Sequence, residues 1–170
     1  DKVMDFLNSR SWEKGTPKIV RNIYDKKEYL KAKNYAQANG KLELISSSFN
    51  FVIILFVLFN NELANLDTLA RSWTDHYILQ SLYFFGVIAL FTTFINLPFS
   101  LYKTFVIEEK YGFNKTTTTT FFIDFIKNIV LSAILGGVLL SIMVLLYTKR
   151  GEYFWIYTWI FVSAFSLFFA

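Results

Sequence analysis

The chain of 170 residues contains no cysteine and one histidine, His76. Without cysteine there is no disulfide framework, no thiolate zinc site and no cysteine nucleophile. The sequence therefore does not indicate whether the protein lies in an oxidising or a reducing compartment. A zinc-protease helix of the His-Glu-x-x-His type needs two imidazoles, which one histidine cannot supply. His76 lies between Trp73 and Tyr77 in the polar link 60–77, a setting typical of a side chain at the membrane interface. We therefore predict no catalytic residue, bound cofactor or metal site within these residues.

Charged residues are also scarce, at 18% of the chain, whereas 54% of the residues are hydrophobic and 20 are Phe. This apolar content exceeds what a soluble core of this length can bury, so lipid is the expected solvent. The net charge of +4 does not predict nucleic-acid binding, because the basic residues flank apolar runs, as the positive-inside rule expects. The composition predicts an all-α, polytopic membrane helical bundle that contacts membrane lipid and no nucleic acid.

The bundle is expected to contain about four transmembrane helices and an amphipathic cytosolic helix. That amphipathic helix starts in the polar segment 1–43, where Asp25 is a suitable cap and Glu28 lies three residues later; a solvated helix on a soluble neighbour is the alternative. Because the chain begins at Asp1 and ends in an apolar run, we expect 1–170 to be a single membrane domain excised from a longer protein. The spans are predicted at about 44–60, 78–101, 121–147 and 153–170.

The charges on the links predict an orientation in the membrane. Residues 1–43 carry ten basic and six acidic side chains, and 102–120 carry three and two, but the link 60–77 carries one basic and three acidic. The positive-inside rule therefore places 1–43 and 103–120 in the cytosol.

Small residues follow helical spacing in two of the spans. In the second span, Gly86 begins a stripe that continues through Ala89, Thr93 and Asn96; it is either a helix-packing face or a wall of a hydrated cavity. In the third span, the overlapping small residues predict a close neighbouring helix. The predicted packing residues are Gly86, Gly136, Gly137 and Ser141.

The stretch between the second and third spans is the most specific in the chain. Pro98 removes a backbone donor, so we expect the helix to kink or stop between Phe94 and Pro98. Gly112 offers a left-handed position that ends a helix, and Thr117 can cap the next one. Asp124 and Lys127 can pair at i and i+3.

A family resemblance rests on this stretch and on the start of the third span. The chain reads Leu-Pro-Phe-Ser at 97–100, Phe-Val-Ile-Glu-Glu-Lys-Tyr-Gly-Phe-Asn-Lys at 105–115, and Phe-Phe at 121–122, followed by Asp124 and Lys127. This order resembles the amino-terminal membrane region of type 1 CAAX prenyl proteases, which are integral-membrane zinc metalloproteases. By motif the resemblance covers about residues 15–130, and beyond that only hydropathy supports it.

The resemblance implies an activity for the whole protein. It implies proteolysis after a prenylated cysteine, or general membrane-protein processing in bacteria, with these spans walling an intramembrane chamber. Zinc would be held by a downstream catalytic domain. The expected partners are that domain and a peptide or prenylated protein substrate. The location implied is the bacterial inner membrane or, in a eukaryote, the endoplasmic reticulum. This segment alone is expected to hold no zinc and cleave nothing.

Two alternatives remain open. A non-enzymatic polytopic membrane subunit or a small transporter could be built from the same helices, although the spans hold few of the ionisable residues that transport favours. The loop Glu108–Asn114 is either a structural bracket for the catalytic domain or a solvated turn. The candidate structural or interface residues are Pro98, Glu108, Glu109, Lys110, Gly112, Phe113, Asn114, Asp124 and Lys127.

Overall fold

The computed structural model describes residues 26–169, and it is helical with no β-strand over that part of the chain. The prediction of an all-α fold is confirmed. The Asp25 cap lies outside the described residues. The helices are α1 (Lys26–Phe59), α2 (Glu62–Trp73), α3 (Tyr77–Tyr102), α4 (Thr118–Arg150) and α5 (Phe154–Phe169), with a π-helical turn at Lys103–Glu108 and a 3-10 turn at Gly151–Tyr153.

Three helical stretches are long and apolar enough to cross a membrane: Lys27–Phe59, Tyr77–Glu108 and Thr118–Phe168. Their apolar side chains are open to the surroundings, as Phe56 shows with 62% of its surface exposed. Within the described residues the buried hydrophobic side chains are Ala70 and Ile107. Such an inside-out distribution suits a protein whose solvent is lipid.

The described residues fall into two compact units. Residues 26–56 and 95–116 belong to the first unit, and residues 57–94 and 117–169 belong to the second. Both α1 and α3 contribute residues to each unit, so each unit is described by itself below.

In the first unit, α1 runs without interruption from its polar beginning into its apolar half. The sequence predicted an amphipathic helix that leads into the first span, and the structure shows both as one helix of 34 residues that continues through Gly40. A glycine inside a helix costs only about 0.5–1 kcal/mol, which the flanking helix offsets. The hydroxyls of Ser46 and Ser47 donate to the Glu43 carbonyl at 3.1 and 2.6 Å, so neither enters the apolar half unpaired.

Pro98 lies inside α3 and does not end it, so of the kink or stop expected between Phe94 and Pro98 the stop is excluded. The helix continues to Tyr102 with Pro98 inside it, because membrane helices tolerate proline where neighbouring groups satisfy the freed backbone. The irregularity comes later, as the π-helical turn Lys103–Glu108. A π-turn inserts extra backbone into a helix and so re-aims the side chains that follow it.

In the second unit, the link expected between the first two spans contains a helix. Asn61, in a left-handed conformation with φ 57°, precedes α2. On α2, Arg71 donates from Nε to Asp67 Oδ2 at 2.8 Å, and this hydrogen bond raises the pKa of the exposed Arg71. The start of α3 is tied back by Gln80, whose Nε2 donates to the Thr74 carbonyl at 2.7 Å.

The expected cap at Thr117 is confirmed, because its hydroxyl accepts from the Thr120 backbone N–H at 3.2 Å and α4 begins at the next residue. At the other end of α4, Gly151 has φ 51° and opens the 3-10 turn. Two contacts hold α4 and α5 together there: the guanidinium of Arg150 lies 5.2 Å from the ring centre of Tyr157, and the rings of Tyr147 and Phe154 meet edge to face at 5.2 Å.

Candidate functional site

Polar side chains form a groove between α1 and the end of α3 in the first unit. Glu43 is the last charge before the charge-free run 44–61, and Lys103 is the first charge after the charge-free run 76–102. Both residues line this groove. Since the two runs are the parts that favour lipid, the groove opens where both helices meet one boundary of the apolar layer.

The polar lining continues inward from that mouth in matching steps along the two helices. Ser46 and Ser100 lie three residues inside Glu43 and Lys103, and Asn50 and Asn96 lie seven residues inside them. At the rise of an α-helix, seven residues correspond to about 10 Å. We call these six residues the polar ladder: Glu43, Ser46, Asn50, Asn96, Ser100 and Lys103.

The deepest step of the polar ladder is a direct side-chain hydrogen bond. Asn50 donates from Nδ2 to Asn96 Oδ1 at 2.9 Å, and both side chains are half-buried. In a membrane such an interhelical amide pair satisfies groups that lipid cannot, and it is worth about 0.6–2 kcal/mol. The bond fixes the register of α1 against α3 at this level. The Phe49 and Phe99 rings, 5.5 Å apart, pack beside it.

The groove is open, and most of the residues that line it have polar side chains. Its volume is about 540 Å³, and seven of its ten lining residues are polar. Tyr35 and Asn39 lie on α1 beyond the mouth, while Ala36, Leu42 and Phe99 provide the apolar part. Glu43 and Lys103 are both exposed, and neither belongs to an ion pair among the described residues.

The loop Glu108–Asn114 is closed by its own hydrogen bonds. The backbone N–H groups of Phe113 and Asn114 donate to the Glu108 carbonyl at 2.8 and 3.2 Å. Gly112 has φ 72°, which confirms the expected left-handed turn. The Asn114 side chain then links two parts of the loop: Nδ2 donates to Glu109 Oε2 at 2.9 Å, and Oδ1 accepts from the Thr116 N–H at 2.7 Å.

The same loop lies against the polar half of α1. The ring of Tyr35 packs on Tyr111 and Phe113, with ring centres 5.5 and 4.8 Å away. The Lys31 ammonium lies 5.0 Å from the centre of the Phe113 ring, a cation–π distance. These contacts hold the loop in place while Glu109 and Lys110 remain exposed.

The second unit contains a groove of another kind, between α3 and α4, with a volume of about 690 Å³. Gly86, Gly136 and Gly137 all line it. A Cβ added at Gly137 would lie 3.7 Å from Leu82 Cδ2, but one added at Gly86 or Gly136 would meet nothing within 4 Å. The Ser141 hydroxyl donates to the Gly137 carbonyl at 2.7 Å. The predicted stripe from Gly86 to Asn96 contributes to both grooves: Gly86, Ala89 and Thr93 line this one, and Asn96 lines the polar groove of the first unit.

Asp124 and Lys127 form the expected pair near the start of α4, with Oδ1 and Nζ 3.6 Å apart. Both side chains are exposed, so the pair contributes little to stability. It takes no part in either groove.

The residues that the structure describes do not fit a zinc site. Over residues 26–169, the structure brings no three side chains of His, Cys, Asp or Glu together in a group that could hold a metal. His76 is exposed, and its backbone N–H donates to Thr74 Oγ1 at 3.2 Å. No catalytic step can therefore be assigned to a metal held by these residues.

Sequence reasoning did not identify Glu43, Asn50, Lys103 or Tyr35 as site residues. Asn50 and Asn96 are single amides in apolar runs, and only the antiparallel pairing of α1 with α3 relates them. The available signal was the equal spacing of seven residues from Glu43 to Asn50 and from Asn96 to Lys103.

Comparison with known proteins agrees with this fold. Residues 6–170 match the family described as CAAX prenyl protease N-terminal, five membrane helices. The Probable CAAX prenyl protease 1 of Schizosaccharomyces pombe is 34% identical over 84% of this chain and 33% of its own length. The CAAX prenyl protease 1 homolog of Oryza sativa is 31% identical over 89% of this chain and 37% of its own length.

A solved structure shows the same fold. The crystal structure of S. mikatae Ste24p superimposes with a TM-score of 0.88 at 24% identity, covering 98% of this chain and 40% of that one. The chain thus spans about a third of the length of the curated relatives named above. Together with its apolar helices, the family match makes it an integral membrane protein. The chain belongs to the CAAX prenyl protease family and corresponds to the amino-terminal membrane domain of that family.

Proposed function

We propose that this chain is the membrane part of a zinc metalloendopeptidase that cleaves peptide or prenylated protein substrates. Its helices would wall an intramembrane chamber, and a catalytic domain elsewhere in the protein would bind zinc. The observation that carries the proposal is the family match over residues 6–170. In this proposal the zinc ligands lie outside this chain, which is supported by its one histidine and lack of cysteine and by curated relatives about three times as long.

Within that protein, the loop Glu108–Asn114 acts as a bracket on which the catalytic domain docks. Support comes from its construction: it is closed on the Glu108 carbonyl, cross-linked by Asn114 and packed on Tyr35. A loop that only keeps charge out of lipid needs none of these contacts. Glu109 and Lys110 present exposed charges of both signs to a partner.

The test is the turnover of a farnesylated peptide by the full-length protein carrying Glu109→Ala and Asn114→Ala. Displacing a docked catalytic domain slightly should lower turnover by about ten- to a hundredfold, while membrane insertion and zinc content stay unchanged. Lys115→Ala is the matched control, because Lys115 is exposed and lies next to the loop; it should leave turnover intact.

The two parts of the proposal fail separately. Full turnover in the double variant would reduce the loop to a solvated turn and leave the protease assignment standing. A wild-type protein that binds no zinc and cleaves no prenylated peptide would contradict the protease assignment itself. Stoichiometric zinc on residues 1–170 alone would contradict the claim that the ligands lie elsewhere.

A further inference from the structure

We propose that the groove of the polar ladder binds the headgroup of a phosphoethanolamine phospholipid. The proposal concerns lipid recognition and is independent of the protease function. It begins with the two charges at the mouth. Glu43 and Lys103 line one groove, both are exposed, and neither belongs to an ion pair among the described residues.

An acceptor and a donor of opposite charge in one groove match a zwitterion. The Lys103 ammonium can donate to a phosphate, and the Glu43 carboxylate can accept from a primary ammonium. A phosphocholine group lacks N–H donors and cannot make the second bond. An anionic headgroup would gain from Lys103 but be repelled by Glu43.

The layering of the groove also suits a phospholipid. The charged mouth lies at the boundary of the apolar layer, where lipid headgroups lie, and the ladder extends about 10 Å inward from that mouth. Ser46 and Ser100 lie below the charges, at the level where the ester carbonyls of a lipid follow its phosphate. At the base, Phe49 and Phe99 offer aromatic surface to the acyl chains.

The backbone supports the position of the cation. Lys103 is the first residue of the π-helical turn and follows the proline-containing helix. Its long aliphatic stem allows the ammonium to reach the interface from the end of an apolar run. The groove is accordingly placed to receive a headgroup from the adjacent lipid layer rather than a fully soluble ligand.

The test uses the full chain in nanodiscs, with native mass spectrometry and thermal unfolding as readouts. Phosphatidylethanolamine should bind about tenfold more tightly than phosphatidylcholine, the ratio that one charge-assisted hydrogen bond supplies. The N-methyl and N,N-dimethyl lipids should fall between them. This series needs no mutation, so a variant that fails to fold does not weaken it. Equal binding of the ethanolamine and choline lipids would overturn the proposal.

Two substitutions locate the site. Glu43→Gln should remove the preference for phosphatidylethanolamine, and Lys103→Met should weaken the binding of both lipids, because both carry the phosphate. Glu62→Gln and Lys127→Met, which change exposed charges outside the groove, should leave binding and preference unchanged. A preference that survives Glu43→Gln, or binding of both lipids that is unchanged in Lys103→Met, would overturn the site. Stabilisation of the wild-type chain by phosphatidylglycerol that equals the ethanolamine effect would overturn the zwitterionic assignment. Soluble phosphoethanolamine should give no shift, and a shift equal to that of the lipid would assign the groove to a free metabolite instead.

Discussion

The two grooves differ in what lines them although both lie between apolar helices. In the first unit, seven of ten lining residues are polar, including a carboxylate and an ammonium. In the second unit, three of fourteen are polar and none is charged. Polar groups in a membrane are costly and mark function, whereas small residues mark close approach of helices. We propose from this comparison that the first groove recognises a ligand and that the second brings α3 and α4 together at Gly137, where an added Cβ would meet Leu82.

The largest expected effect concerns the side of the membrane on which each link between spans lies. Thr68 belongs to the second unit and Lys115 to the first, and both are exposed. The charge asymmetry of the links predicts that Lys115→Cys reacts with an impermeant thiol reagent only from the cytosol and Thr68→Cys only from the opposite side. Labelling in sealed, oriented vesicles measures this. Both positions reacting from one side would break the predicted topology.

Gly137→Leu tests whether the second groove serves packing. A Cβ at Gly137 already meets Leu82 at 3.7 Å, so the larger side chain should crowd α3 and destabilise the protein by about 1–3 kcal/mol. The melting temperature in detergent provides the measurement. Gly136→Leu is the matched control, because a Cβ there meets nothing within 4 Å. Equal effects of the two leucines would remove the distinction.

Two glycines of the first unit should respond to alanine in opposite directions. Gly112 has φ 72°, so Gly112→Ala should cost about 1–2 kcal/mol of backbone strain. Gly40 lies inside α1 with open space around it, and Gly40→Ala should stabilise by about 0.5–1 kcal/mol. Gly112→Asn should be milder than Gly112→Ala, because asparagine visits the left-handed region. Thermal unfolding of the three variants would contradict this account if alanine stabilised at both positions.

Turns, helix caps and short-range ion pairs could be predicted from the sequence, because each depends on few neighbouring residues. Gly112, the Thr117 cap and the Asp124–Lys127 pair are confirmed because each rests on residues close in the chain. The helical membrane class followed from composition alone.

Other features could not be predicted from the sequence, for several physical reasons. Pro98 was expected to kink or stop its helix, and the helix does not stop there, since membrane helices tolerate proline where neighbouring groups satisfy the freed backbone. The helix α2 was missed in a short polar link, and the π-turn after Tyr102 has no sequence signature. The polar ladder was missed because its members become neighbours only when α1 and α3 pair.

The central claim is that α1 and α3 pair in the register that builds the polar ladder, and the absence of cysteine from residues 1–170 allows a direct test. Asn50→Cys with Asn96→Cys places two thiols where the amides now hydrogen-bond at 2.9 Å. Asn50→Cys with Lys103→Cys is the control, because it displaces one thiol by about 10 Å along α3. A short bifunctional thiol-reactive reagent, such as a bis-methanethiosulfonate, should cross-link the first pair and not the second in native membranes. Cross-linking of the second pair in preference to the first would contradict the register, and with it the polar groove.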